Sequence, residues 1–308
     1  MKKLNNMLVI GDLIIDIFVD GNVSRINPEA PNPVLDVYKK KLSLGGVGNV
    51  IDYFYHKKEK INFILFVGKK NYFKEIFFLT NKYKKLIHKI FFGNIYNILK
   101  FRYSSNNQYI LRVDEFKKYS VSSQFQKYII NFLKNKNIQY CCISDYDKGS
   151  INGLFLSKII DICYNRKIKI IIDTKKSKID ILKNIFLITP NLIELINLCK
   201  LSQDASLDRI IHQAIYFKKN KNIENILITM SKEGAILIDK QQKVKKFTVQ
   251  KKHIFDVTGA GDVLFSSIIY NLLKKTTLEK SIKNALKEAT DSVEIFGKIS
   301  ENKLEIQL

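Results

Sequence analysis

A chain of 308 residues, 46% of them hydrophobic, can bury a substantial core, so size alone excludes only a mini-protein. The formal net charge of +23, from 52 Lys+Arg against 29 Asp+Glu, points on its face to nucleic acid or an anionic membrane. The lysines, however, recur along the whole chain beside Ile and Asn and build no basic tail. They read as a solvated surface whose field draws in anionic small molecules, with no nucleic-acid and no membrane partner expected.

The first apolar stretch, residues 7–18, is interrupted by Asp12 and Asp16, which disqualifies it as a signal-peptide core or a membrane span. From there short runs rich in Val, Ile and Phe alternate with amphipathic segments, the pattern of a mostly parallel sheet with helices on both faces. Strands are predicted at 7–11, 62–67, 140–144, 169–172, 186–189 and 225–229, and helices at 47–57, 122–136, 151–166, 191–200 and 206–219. Two more strand-like runs, 235–239 and 243–249, precede helices beginning near residues 260 and 278. Segments from about 16 to 43 and from about 97 to 113 read as strands and turns with no following helix. Inserted in a parallel sheet, such strands form a small β-sheet lid over the carboxyl ends of the central strands, where open α/β sheets bind ligands. Residues 69–96 follow no familiar pattern. No repeat or Pro/Gly-rich linker divides the chain, so residues 1–308 are read as a single domain. Cys141, Cys142, Cys163 and Cys199 show no C-x-x-C spacing and read as buried, reduced thiols of a cytoplasmic protein. The histidines His56, His88, His212 and His253 make no zinc-binding pair, so a metal must be held by oxygen.

The sharpest chemical signal is Asp256-Val257-Thr258-Gly259-Ala260-Gly261-Asp262, between a strand-like segment and an apolar helix. Small residues at Gly259, Ala260 and Gly261 let the backbone approach a ligand, and a helix start offers unpaired N–H groups to an anion. A carboxylate at Asp262 on the first helical turn can then take a proton from a hydroxyl held beside that anion hole, as phosphoryl transfer requires. The plain alternative is a capped turn with an acid favourable to the helix dipole.

Other strings accompany it in order along the chain: Gly11-Asp12 with Asp16; Gly45-Gly46-Val47-Gly48-Asn49; Thr189-Pro190-Asn191 with Glu194; and Thr229-x-Ser231 with Gly234. With the Gly-Ala-Gly-Asp turn they resemble, over nearly the whole chain, the ribokinase-like (PfkB) carbohydrate kinases. The resemblance implies a ribokinase-like α/β sandwich with a mostly parallel central sheet, helices on both faces and a small β-sheet lid. ATP and Mg²⁺ are the implied co-substrate and metal. Asp262 is the implied base, and Asp12, Asp16, Gly45, Gly46 and Asn49 hold the sugar. Asn191, Thr229, Ser231 and Gly234 meet the nucleotide, and Glu194 serves the metal. Mg²⁺ keeps most of its waters, so one glutamate is chemically sufficient. Capped turns, strand ends and solvated helix faces are the bland readings of the same residues.

The string from Ser24-Arg25-Ile26-Asn27-Pro28-Glu29 to Val34, with Lys100-Phe101-Arg102, Leu111-Arg112-Val113-Asp114 and Ser144-Asp145-Tyr146-Asp147-Lys148-Gly149, is similar to the heptose-7-phosphate kinases. What this implies is ATP-dependent phosphorylation of the 1-hydroxyl of D-glycero-D-manno-heptose 7-phosphate to the 1,7-bisphosphate, in ADP-heptose and lipopolysaccharide core biosynthesis. A substrate phosphorylated at its far end calls for remote cations, and Arg25, Arg102, Arg112 and Lys148 are the candidates. A kinase of the same fold for another sugar or sugar phosphate is the alternative. The family's usual D-P-K is Asp173-Thr174-Lys175 here, which leaves the role of Lys175 open. Many relatives carry a fused nucleotidyltransferase domain with an H-x-G-H motif. None of the four histidines begins one, so no such domain and a separate adenylyltransferase are expected, and the resemblance leaves room for a homodimer paired through the lid.

Overall fold

A computed structural model describes residues 6–176, 181–249, 259–293 and 304–306. Asp256, Val257 and Thr258 of the signature turn lie outside the described residues. In chain order the elements are β1 (Met7–Gly11), β2 (Leu13–Ile26), β3 (Pro33–Gly46), α1 (Val47–His56), β4 (Asn62–Gly68), α2 (Phe73–Lys82), β5 (Ile87–Gly93), β6 (Ile98–Ser105) and β7 (Gln108–Glu115). There follow α3 (Ser123–Asn135), β8 (Tyr140–Asp145), α4 (Gly153–Asn165), β9 (Lys169–Thr174), β10 (Ile185–Ile188), α5 (Leu192–Leu198), α6 (Leu207–Asn220) and β11 (Ile223–Thr229). The chain closes with β12 (Ala235–Ile238), β13 (Val244–Phe247), α7 (Ala260–Leu273), α8 (Leu278–Ser292) and β14 (Leu304–Ile306).

The main sheet has nine strands in the order β13-β12-β11-β10-β9-β8-β1-β4-β5, parallel throughout except for β12 and β13, which run antiparallel. Alternation along the buried strands divides the core between two faces. Leu8, Ile10, Cys141 and Ile143 pack with Phe125, Ile129, Phe155 and Ile159 of α3 and α4. Met7, Val9, Tyr140 and Cys142 face the opposite layer, which holds Val50 and Phe54 of α1, Phe265 and Ile268 of α7, and Ile282 of α8. Burying a side chain such as Phe54 or Phe265 contributes about 1.5–3 kcal/mol, and many such burials outweigh the entropy of ordering the chain.

Helix starts differ from the predicted ones by the capping residues. Ser122, Asn152, Asn191 and Ser206 all lie in the extended region and accept a bond from the backbone N–H three residues on, so α3, α5 and α6 begin one residue later than predicted and α4 begins two later. The unfamiliar segment 69–96 contains α2 and β5, the latter pairing in parallel with β4 at the sheet edge.

The second sheet orders its five strands β14-β3-β2-β6-β7. Asp16, Lys100 and Asp114 stand side by side in its register, as do Phe18, Arg102 and Arg112 one step along the same face. On the other face Ile15, Ile17, Leu42, Leu44 and Leu99 join the core shared with α1. The sheet thus has one apolar face rooted in the protein and one charged face. Among the described residues no helix is long and apolar enough to cross a membrane.

Candidate active site

Asp262 sits on the first turn of α7 and is 3% exposed. Gly259 precedes it as the N-cap with φ 73°, in the left-handed region that a Cβ disfavours. A Cβ built on Gly261 would meet no atom within 4 Å, so the backbone at the start of α7 opens onto free space. With its dipole end and its unpaired N–H groups, this turn has the chemistry to receive an anion.

Two donors hold the Asp262 carboxylate. Asn49 Nδ2 of α1 donates to Oδ2 at 2.7 Å, and the Tyr146 hydroxyl, on the loop after β8, donates to Oδ1 at 2.7 Å. Burial pushes the Asp262 carboxyl above the usual carboxylate range, while the bonds from Asn49 and Tyr146 and the charge of Lys175 pull it back. Burial likewise raises the Tyr146 phenol, helped by Asp262 and Asp173, so the hydroxyl remains a donor.

A cavity of about 1170 Å³ extends from this turn to the carboxyl ends of β10 and β11. It brings Asn191, Thr229, Ser231 and Gly234 together with Gly259, Ala260, Gly261 and Asp262. Gly234 adopts φ 90°, and a Cβ there would lie 2.0 Å from the Phe247 carbonyl oxygen. The sequence predicts a helix over 191–200, which would put Asn191 and Glu194, three residues apart, on one helix face. The structure corrects this: Asn191 is the cap of α5, and each side chain accepts from the other residue's backbone N–H in a capping box. Glu194 Oε1 also accepts from Asn191 Nδ2 at 2.8 Å and pairs with Lys175 Nζ at 2.9 Å. Lys175 stands 3.5 Å from Asp173 Oδ1 as well. Burial works against the Lys175 charge, but Asp173 and Glu194 outweigh it and hold the ammonium above its ordinary value. Asp173 is pushed up to about 6 by burial, against Lys175 and with the repulsion of Glu194 and Asp262.

At the lid end, Asp16 is buried and its Oδ1 accepts from Arg102 Nη1 at 2.5 Å. Gly45 has no room for a side chain, since a Cβ would fall 2.0 Å from Asp16 Oδ2, and Gly46 turns the chain into α1 with φ 61°. Asn49 Oδ1 is buried without a hydrogen-bond partner among the described residues, on the same side chain whose Nδ2 holds Asp262.

Asp12 requires a second correction. It is fully buried, and its carboxylate accepts the backbone N–H groups of Tyr146 at 2.8 Å, Lys148 at 3.1 Å and Ser150 at 3.0 Å. It anchors the loop after β8 and does not present oxygens to a sugar.

The four candidate cations separate. Arg102 is neutralised by Asp16, and Arg112 forms a two-point contact with Asp114 at 2.7 and 2.6 Å. Arg25 lies at the far end of β2 with a 67% exposed side chain, 3.9 Å from Asp36. Lys148 has no carboxylate partner among the described residues; its ammonium rests 3.2 Å from the centre of the Phe116 ring and is held below its ordinary value by burial. Lys100, passed over in the sequence, is its counterpart: unpaired among the described residues, lowered by burial, and 4.9 Å from the centre of the Tyr146 ring. Its position two residues before Arg102 on a strand was the available signal, because both must share a face.

Comparison with known proteins bears on the family and the fold. Residues 4–303 match the pfkB family carbohydrate kinase pattern. The chain is 32% identical over 291 residues to the bifunctional protein HldE of Sulfurimonas denitrificans, covering 91% of this chain and 58% of that one. It is 29% identical over 322 residues to the bifunctional protein HldE of Campylobacter curvus, covering 100% of this chain and 65% of the relative. The chain therefore spans about three fifths of the length of these curated relatives. In fold it is similar to phosphofructokinase-2 from Escherichia coli in complex with potassium, at a TM-score of 0.79 with 14% identity over 97% of this chain and 95% of that one. It is also similar to Arabidopsis thaliana ribokinase complexed with ribose and ATP, at a TM-score of 0.74 with 14% identity over 96% and 95% of the two chains. A ribokinase-like fold, a family match along nearly its whole length and a buried carboxylate at an anion-receiving helix start agree: the chain is a carbohydrate kinase of the pfkB family.

Proposed function

We propose that this kinase transfers the γ-phosphoryl group of ATP to the 1-hydroxyl of D-glycero-D-manno-heptose 7-phosphate, giving the 1,7-bisphosphate and ADP. The observation that carries it is Asp262, fixed by Asn49 and Tyr146 where the open turn of α7 meets the cavity. The carboxylate takes the proton of the sugar hydroxyl as its oxygen attacks the γ-phosphorus, and the leaving ADP oxygen keeps the electron pair of the broken bond. N–H groups of residues 259–262 hold the phosphoryl oxygens, a role fitted to the dipole end of α7. Asp16 and the unpartnered Asn49 Oδ1 accept from the sugar hydroxyls.

ATP enters as its Mg²⁺ complex. Two carboxylates, Asp173 and Glu194, flank the single ammonium of Lys175, and no group of three potential ligands forms a cage among the described residues. That donor set suits an ion bound chiefly by phosphates and water; Glu194 would help hold it, and it would supply neutralisation of phosphate charge. Heptose 7-phosphate is favoured over other sugars by the similarity to HldE proteins at about 30% identity and by the charged face of the lid. Lys100 on that face and Lys148 on the loop after β8 are the cations proposed for the distal phosphate. Pairing of two copies through the lid fits β7, an edge strand exposed along all eight residues.

The deciding experiment compares rates on heptose 7-phosphate, fructose, ribose and their phosphates under one set of conditions. Preference for the heptose phosphate by about tenfold or more in kcat/KM supports the reading. Equal use of free heptose, assayed alongside, and its 7-phosphate overturns the distal-phosphate part and leaves a ribokinase-like kinase with no need of a distal phosphate.

A further inference from the structure

Nothing above gives Tyr146 a part in the transfer beyond its bond to the base, yet it is the point where loop, lid and base meet. Its backbone N–H is fixed by Asp12, its ring lies 4.9 Å from Lys100 of the lid and 5.8 Å from Lys175 at the nucleotide end, and its hydroxyl reaches Asp262 Oδ1. Asn49 serves the other carboxylate oxygen but keeps its own Oδ1 unpartnered, so Asn49 has a second task and Tyr146 has none.

We propose that Tyr146 is a positioning residue for phosphoryl transfer, fixing the orientation of Asp262 and keeping its carboxylate ready to accept a proton. The proposal rests on Asp262 being the base. A carboxylate with two bonds from opposite sides cannot rotate about its Cβ–Cγ bond without losing both, and each oxygen still has a lone pair for the substrate hydroxyl. A hydrogen bond to the charged form also favours that form against the cost of burial. The charged groups facing this pair are Lys175 after β9 and Lys100 of β6 on the positive side, and Asp16 of β2 and Asp173 of β9 on the negative. All four stay in place when only the phenolic oxygen is removed.

Tyr146→Phe keeps the ring between Lys100 and Lys175 and deletes the donor. Loss of a charge-assisted bond should raise the Asp262 titration midpoint by about 1–2 pH units, so the acidic limb of kcat moves up by that amount and the loss of kcat is largest below neutrality. Rates are measured from pH 5 to 9 with ATP and the preferred sugar of the panel. In parallel, the Asp262 carboxyl is titrated by ¹³C NMR in the apo protein, its resonance assigned by its disappearance in Asp262→Asn. An upward shift in both readouts is the expected result. An unchanged NMR midpoint overturns the proposal, as does a kcat loss that is constant across pH. The titration needs no substrate, so a wild-type protein inactive on every sugar sinks the proposed function while Tyr146 is still judged.

Discussion

Replacing Asp262 by Asn separates chemistry from architecture at this site. Asn49 donates to one carboxylate oxygen and Tyr146 to the other. An amide accommodates both by turning its oxygen to Asn49 and its NH₂ to the Tyr146 oxygen, which can accept as well as donate. The shape of the site is kept and the proton acceptor is gone. Loss of a general base lowers kcat by about 10²–10⁴, or ~2.7–5.4 kcal/mol at about 1.36 kcal/mol per decade. Stability moves the other way. Burial raises the folded-state pKa of Asp262 above its unfolded value, so its contribution to stability is present at low pH and is lost as pH rises through the raised pKa. A neutral amide escapes that loss, and at pH 8 the variant should melt no lower than wild type. The assay is ADP release at saturating ATP and sugar phosphate, with nucleotide affinity by calorimetry and Tm on the same preparations. A variant keeping at least half of wild-type kcat, or one losing nucleotide affinity in step with kcat, would refute the assignment.

Other expectations follow from the same geometry. Glu194→Gln weakens the grip on Lys175 and removes the charge near the metal, so the Mg²⁺ concentration for half-maximal rate should rise; an unchanged Mg²⁺ dependence removes Glu194 from the site. Lys148→Ala and Lys100→Ala should each cost about 1.5–3 kcal/mol in kcat/KM toward the 7-phosphate and little toward free heptose. Equal losses on both substrates place these lysines outside phosphate recognition. Asp12→Ala strands one buried and two half-buried backbone donors, at up to about 1–3 kcal/mol each and less than additively. The denaturant midpoint should fall clearly, and a variant as stable as wild type contradicts the anchoring role.

Much of the fold was legible because the buried parallel strands announce themselves as short, mostly apolar runs, as in residues 7–11, 140–144 and 225–229. The segment 69–96 was not, since β5 at the sheet edge has an irregular pattern of exposed and buried residues and α2 buries only Ile76, Leu79 and Thr80. β14 was missed too. Three residues pairing with β3 leave no periodic trace in so short a stretch.

For the site, the order of strings along the chain singled out Asp262, Asn49 and the glycines around them, because glycine at a turn and acid at a helix start are local requirements that sequence records directly. Local chemistry could not say which partner each polar group would choose. Asp12 and Asp16 are four residues apart and alike in type, yet folding gives one to three backbone donors and the other to Arg102. Asn191 and Glu194 turn toward each other, and Lys175, just after β9, joins Glu194. Tyr146 meets Asp262 across 116 residues of chain. Hydrogen bonds act over about 3 Å of space whatever the separation in sequence, so the composition of the site is written in the chain and its wiring is decided only when the two sheets and α7 come together.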